Sequence, residues 1–510
     1  MTRRILRSTS LAALSALVTA PLFSPAFADV TADEVWQNWK VLGASYGQTY
    51  TTGSESRSGD TLTITDLTMD MAGGDIKITG TIPQVVFRET GDGRVEITMS
   101  NDYLLTMQSK NGMDKDLSNT IKIGQNGLIM TASGTPAAIS YDMMADSVAV
   151  NLADFMVDGK PRDMEVDVNL SKMSTNYQVT PGDMTGINST FAAQGLSFRM
   201  LGQNEDGEGK FDMSGQMNNL AGASAGAIPK AMEKGDLGAM LAQGFTTDGS
   251  GTYDSGSFTL AATDPDGSTT NIDSTSKGGS LNVSLDKDRI AYGLNGKGVA
   301  MKMSGSSIPF PELTAAYDEA AFSLLLPISK GEEPKDFAIN AKLQGLTVSE
   351  MIWAMFDPGA TLPRDPATLD IALKGKAKPL VNLLDADKVA MMGEKPPFEV
   401  SVLDIDALQL SLAGAEFKGN GALAFDYSQP PALGGVAPMP TGKINLSLTG
   451  ANTLLGKLQT LGLIDQEITM TFGMMAGMLA KPGPTPDSLV SEVEILEGGK
   501  ILSNGNPLPF

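Results

Sequence analysis

Residues 60–100 read DTLTITDLTMDMAGGDIKITGTIPQVVFRETGDGRVEITMS, and their alternation decides the fold. Leu62 and Ile64 alternate with threonines, the phase shifts by one residue at Asp66, and Leu67, Met69 and Met71 resume it. This pattern predicts a half-buried strand with a bulge at Asp66. Gly73-Gly74 offers the positive φ of a tight reversal, after which Ile76, Ile78 and Ile82 share a face opposite Lys77 and Thr79. Pro83 is expected to end that strand. Val85 and Phe87 start a third, Gly91-Asp92-Gly93 turns it, and Val95, Ile97 and Met99 form a fourth. The expectation is four antiparallel strands with one apolar and one wet face, and an apolar face must be covered by a sheet, a helix or a ligand.

Working outward, 510 residues suffice for two or three domains or for one extended β structure. The 56 glycines suit many short turns, and a 41% hydrophobic content is that of a globular chain. At the N-terminus, Arg3, Arg4 and Arg7 precede the apolar run Leu11–Val18 and the small-x-small pattern Ala26-Phe27-Ala28. This is the form of a cleaved export signal, with cleavage expected between Ala28 and Asp29. A periplasmic location follows as the expectation. The net charge of −22 disfavours nucleic acid and anionic membrane surfaces as partners. There is no cysteine, so neither disulfides nor a lipoprotein anchor are available.

Next comes an amphipathic helix. Thr31 reads as its N-cap, Asp33 and Glu34 oppose the dipole, Val35, Trp36, Trp39, Leu42 and Tyr46 recur at helical spacing, and Gly47 stops it. Its acidic start and lack of a basic face favour packing against the sheet over a membrane surface. Short strands are expected at Leu128–Ala132, Ile139–Met143, Val148–Leu152 and Met164–Ser171, and a hairpin joins Leu196–Leu201 to Lys210–Gly215. The composition changes at Asn218–Gly244, where Ile228–Lys234 and Asp236–Gln243 read as two short helices. The predicted organisation is a leader at 1–28, a β-rich region at 29–217, a helical connection at 218–245 and a second β-rich region at 246–510.

That second region opens with a strand at Gly251–Leu260 and the alternating Leu281, Val283 and Leu285. It also contains two strand-helix-strand units. Phe337–Leu343, a helix over Val348–Phe356 and Leu369–Leu373 make the first. Ile444–Leu448, a helix over Asn452–Leu461 and a strand carrying Ile468, Met470 and Phe472 make a weaker copy, with the helices filling a bent sheet. Between them Phe417, Leu423, Phe425 and Tyr427 fall on one face, with Gly419 and Gly421 leaving gaps on it. The fold class expected is mainly β, an elongated curved antiparallel sheet with a few packed helices.

The helix Asp33–Tyr46, the run Arg57-Ser58-Gly59-Asp60, the segment Leu241-Ala242-Gln243-Gly244-Phe245 and the closing Gly498–Pro507 with Asn504-Gly505-Asn506-Pro507 resemble a family of exported Gram-negative proteins. That family is catalogued as domain of unknown function twenty-one twenty-five, and the likeness is expected over most of the mature chain. It is distantly similar to AsmA-type envelope proteins, which implies a strand-rich groove associated with lipid handling but no functional residues.

The chain has no histidine. With cysteine also absent, imidazole general bases, Ser-His-Asp and Cys-His catalysis, and the usual zinc, copper, haem and iron–sulfur ligands are removed. Gly222 and Gly226 are too close for a P-loop, and Ala227 stands where its lysine would be. Asp264-Pro265-Asp266-Gly267 and Asp286-Lys287-Asp288 read as turns rather than calcium loops. Asp404 and Asp406 illustrate the chance carboxylate pairs that a hydrolase would need. The 29 methionines read mainly as core filling, with Met391-Met392 and Met474-Met475 as the places where a surface for varied apolar partners is expected. The expected function is therefore non-enzymatic: binding of an apolar or lipidic ligand in a β groove on the face of Phe417, Leu423, Phe425 and Tyr427. The alternatives are a structural or protein-interaction component of the envelope and a carboxylate hydrolase; no cofactor or metal site is expected.

Overall fold

The computed structural model describes residues 29–45, 47–73, 76–110, 116–203, 209–229, 237–429 and 437–508. The leader, including Ala28, lies outside them. The described residues form one antiparallel sheet of 28 strands with six α-helices, which is the elongated curved sheet that the alternation predicts. α1 is Ala32–Ser45, α2 Leu237–Ala242, α3 Glu350–Ala354, α4 Ala386–Met391, α5 Ala451–Thr460 and α6 Gln466–Leu479.

The opening stretch makes three strands, not four. Thr61–Gly73 pairs with Ile76–Glu89, which runs straight through Pro83, and Val95–Met99 follows. Pro83 is tolerated because the outer partner changes there: Ile76–Thr81 pairs with the strand Asp102–Lys110, and Val85–Glu89 with Val95–Met99. The missing N–H therefore falls in a gap of the ladder. Nor is Asp66 an inserted residue. Thr65 faces Gln84 and Leu67 faces Ile82, so both strands take one step across the irregularity and register is kept. Asp66 adopts φ 49°, which rotates the chain so that Leu62, Ile64 and Leu67 all stay buried, as do Phe87, Val85 and Ile82 opposite.

The same crease recurs across the sheet. Lys172 (φ 49°) lies between the pairs Ser171–Ser147 and Met173–Ala145, and its Nζ meets Asp146 Oδ1 at 2.6 Å. Asn219 (φ 52°) lies between Leu220–Ala193 and Asn218–Gly195, and its Nδ2 donates to Asp254 Oδ2 at 3.1 Å. Gly278, Gly298 and Gly345 continue the line with φ of 119°, 54° and 72°. Side chains in a strand alternate, so a positive-φ step resets the phase and keeps the apolar set on one side of both half-strands. The expected short strands Ile139–Met143 and Val148–Leu152 are accordingly two halves of one strand, Ala138–Val157, creased at Asp146.

α1 packs on the N-terminal part of this face, as expected. Trp36 is 1% exposed, stands 5.9 Å from the Phe87 ring and donates from Nε1 to Glu55 Oε1 at 3.1 Å. Asn38 of α1 accepts from Tyr141 Oη at 2.7 Å. The core there joins Val35 and Trp36 to Ile64, Leu67, Val85, Phe87 and Ile97.

Two further expectations are corrected. Lys210–Pro229 is one strand, paired on both sides, so Asn218–Pro229 is sheet; the rest of the expected first helix lies outside the described residues, while the second is α2, ended at Gly244 with φ 100°. The last strand-helix-strand unit fails at its third member, because Ile468, Met470 and Phe472 lie in α6. Asp465 caps that helix by accepting from Ile468 N at 3.0 Å, and almost every residue from Ile468 to Ala480 is apolar or small, so the period-two subset carried no information. Ser488–Ile495 is the strand that pairs with Thr441–Thr449 instead.

Trp36→Ala is expected to cost about 3–5 kcal/mol in chemical denaturation, as for other buried large aromatics. Gly278→Ala should cost more than about 1 kcal/mol, because a left-handed glycine loses its conformation; its Cβ would also stand 2.9 Å from Tyr253 O. Gly249→Ala, with open space around it, should leave stability unchanged.

Candidate functional site

Directly opposed residues of an antiparallel pair point to the same face, so the register traces that face across the molecule. One row starts in the α1-covered core with Val95, Ala132, Tyr141 and Tyr177. It passes through Ser189, Ser224 and Gly249 to Val283, Tyr292, Leu324 and Ile339, and then through Leu373, Ile405, Gly421 and Ile444 to Val493. A parallel row two residues away runs from Ile97 through Phe191 to Leu281, Leu294, Phe322, Ala341, Ile371, Leu408 and Leu446. Neither row contains a charged side chain.

Burial changes sharply along these rows. Val95, Ile97 and Ala132 are fully buried, whereas Leu281, Leu294 and Phe322 are 41%, 45% and 43% exposed. Leu369 and Leu410, one row further, are also exposed. The face that α1 closes at one end is open over the strands that follow.

Of the residues singled out from sequence, Phe417 and Leu423 lie on this face with Gly419 and Gly421 between them, paired to Leu410 and Leu403 on one side and to Leu448 and Gly442 on the other. Their strand ends at Ala424. Phe425 is half-buried and donates its N–H to Ser401 O at 2.9 Å, while Tyr427 accepts at Oη from Val400 N at 3.2 Å. The four thus form the border of a much wider face, whose centre is at Leu294 and Phe322. Sequence reasoning had Leu281, Val283 and Leu285 but could not align them with Tyr292 and Leu324 without the register.

A concavity of about 880 Å³ spans eight strands between Asn176 and Ala338. Its lining mixes Val283, Tyr292 and Leu324 with polar neighbours of the opposite alternation, including Asp248, Asn282 and Arg289, so it is not a purely apolar pocket.

The carboxylates are distributed as cross-strand ion pairs. Glu319 meets Lys342 Nζ at 2.7 Å, Asp406 meets Lys374 at 2.8 Å and Glu399 meets Lys378 at 2.8 Å. Asp264 and Asp286 cap their turns, Asp286 accepting from Asp288 N at 2.7 Å and Arg289 N at 3.0 Å. Among the described residues no group of three acidic side chains converges as a metal site would require.

Among the described residues one carboxylate is buried. Asp357 is 1% exposed, accepting from Arg364 Nη1 at 2.6 Å, Thr361 N at 2.9 Å and Leu362 N at 2.8 Å. Arg364 also lies over the Trp353 ring at 4.5 Å, and Trp353 packs with Leu362, Ala413, the α5 residues Leu454 and Leu458, and Leu461 just past the helix. Burial pushes the Asp357 carboxyl up, but the guanidinium and the two N–H groups outweigh it and bring the pKa down to about 2. A lowered folded-state pKa contributes stability above the unfolded value and loses it as pH falls towards the folded one. Asp357→Asn should therefore lower the melting temperature at neutral pH and flatten its fall between pH 3.8 and about 2, as read by thermal melts of both chains.

No curated protein and no solved structure matches the chain, so the expected distant likeness to AsmA-type proteins finds no support there. Residues 253–503 match the family model described as an uncharacterized protein conserved in bacteria, DUF2125. The match covers about half the chain rather than most of it, and it excludes the tryptophan-bearing helix and the Leu241–Phe245 segment on which the resemblance partly rested. From Tyr253 to Ser503, the part of the sheet that carries the open apolar face, the protein is a member of this bacterial family.

Proposed function

We propose that the protein is a structural and interaction component of the bacterial cell envelope, acting in the periplasm by non-covalent contact, with its uncovered sheet face as the surface on which a protein partner docks. The observation that carries this reading is the pair of charge-free rows running out of the α1-covered core into the exposed residues Leu281, Leu294 and Phe322. Large contiguous apolar surface is uncommon on a monomer and marks a place of contact, and the cores of interfaces are depleted in charge in the same way. The cross-strand pairing of the carboxylates with lysines supports contact rather than hydrolysis, since a glycosidase-type site needs two carboxyl groups free to act together. The leader residues Arg3 to Ala28 support the location.

A second reading, an apolar or lipidic ligand held on the same face, is favoured by the complete absence of charge along both rows. Against it stands the mixed lining of the concavity.

The two are separated by a photoreactive benzoyl-phenylalanine at position 322 in the exported chain within its own envelope, combined with native mass spectrometry. The proposal expects a discrete protein adduct at Phe322, none from the opposite face at Asn340, and suppression by Leu294→Asp. Absence of a protein adduct, with lipid released by Phe322→Asp, would replace it with the second reading; neither adduct nor lipid would overturn both.

A further inference from the structure

Among the described residues α6 is the one long helix whose apolar side nothing covers. Thr469, Phe472, Ala476 and Leu479 form its half-buried side. Around the rest of the helix Ile468, Met470, Met474, Met475 and Met478 are 49%, 56%, 70%, 54% and 51% exposed. Met470, Met474 and Met478 follow one another at i, i+4 and i+8, with Ile468 and Met475 beside them, so they make one stripe, interrupted by Thr471 and bearing Glu467 at its N-terminal end. Gly473 and Gly477, with open space where a Cβ would be, flatten its border. Leu463 in the α5–α6 turn is 45% exposed as well.

We infer that this stripe is a membrane-surface contact: α6 lies flat in the interfacial layer of a zwitterionic bilayer and holds the sheet against it. The size of the helix argues for a bilayer over a protein. At 14 residues it is about 21 Å long, and a strip about 10 Å wide offers on the order of 200 Å². A stable protein interface needs roughly 800 Å² from each partner, a second copy included. A lipid layer sets no such minimum, and unbranched methionine side chains adapt to disordered acyl chains. The helix is also too short to cross the membrane, which takes about 20 apolar residues, so it lies in the plane.

Charge selects the lipid. α6 contains no basic residue, its only charge is Glu467 in the first turn, and the chain carries a net −22. Anionic headgroups are repelled, and attraction rests on apolar burial, with Lys457 and Lys481 flanking the helix on the chain. Attachment to the sheet is firm at the helix end: Leu479 O accepts from Ser491 Oγ and Ser503 Oγ, each at 2.5 Å. Both serines belong to rows of the apolar face. This contact is separate from the docking face around Leu294 and does not rest on that reading.

Flotation of the whole mature chain with phosphatidylcholine–phosphatidylethanolamine vesicles tests it. The wild type should float, with little dependence on salt, and should float less when phosphatidylglycerol is added. Met474→Glu combined with Met478→Glu should abolish flotation while leaving the melting temperature unchanged, since both side chains are exposed. Met475→Trp should add a fluorescence component quenched by brominated lipid, above the background of the unsubstituted chain, and Leu294→Asp should float normally. Wild-type protein that stays at the bottom, a double variant that still floats, or loss of flotation in Leu294→Asp would each overturn the inference. So would a concentration-dependent dimer dissolved by the double variant without any flotation, which would assign the stripe to a second copy.

Discussion

The structure depends on one constraint: a strand alternates its side chains, so an apolar set stays on one face only as long as the phase is kept. Strands such as Ala138–Val157 and Lys210–Pro229 are 20 residues long, well beyond the usual strand, and each carries apolar residues of two different phases. The crease reconciles them. A single positive-φ residue, Asp66, Lys172 or Asn219, rotates the second half of a strand, and because the neighbour takes a matching step the ladder continues in register. Asp146 of the adjacent strand and Asp254, in the bend between two strands, satisfy the side chains of Lys172 and Asn219. A non-glycine residue in the left-handed region costs of order 1 kcal/mol, which the two flanking half-ladders and the shared apolar face offset.

From this one device follow both the core and the functional surface. With the face preserved, α1 can bury Trp36 against Phe87 at one end, and the same face must then continue through every later strand whether or not something covers it. A second buried cluster forms where α3 and α5 meet through Trp353, beside the Asp357–Arg364 pair. The open surface in between is thus a consequence of sheet continuity, and its lack of charge is what separates it from the lysine- and carboxylate-bearing opposite side.

Much of this was legible in the sequence, in pieces. The alternations Leu281/Val283/Leu285 and Phe337/Ile339/Ala341/Leu343 identified strands and their apolar side, and the spacing of Trp36, Trp39 and Leu42 identified the helix that packs on it. What could not be read was continuity. Ile139–Met143 and Val148–Leu152 read as separate strands because the crease at Asp146 resets the phase, and Lys172 carries no signal for a left-handed conformation, while Asn219, of a type that tolerates it, carries a weaker one than a glycine would. The rows joining Val283 to Tyr292 and Leu324 exist only once the pairing register is known. The period-two reading of α6 fails because, in a segment where nearly every residue is apolar or small, any period can be found; the cap at Asp465 is the informative residue.

The central claim is that one apolar face runs from the closed core into solvent. The chain has no cysteine, so single substitutions to cysteine report accessibility without background. Thiol labelling of Leu294→Cys and Phe322→Cys in the folded protein should be rapid, and that of Ile97→Cys, in the same row under α1, should be blocked until denaturant is added. Protection of positions 294 and 322 equal to that of position 97 would show that the face is covered along its length, and would contradict the account.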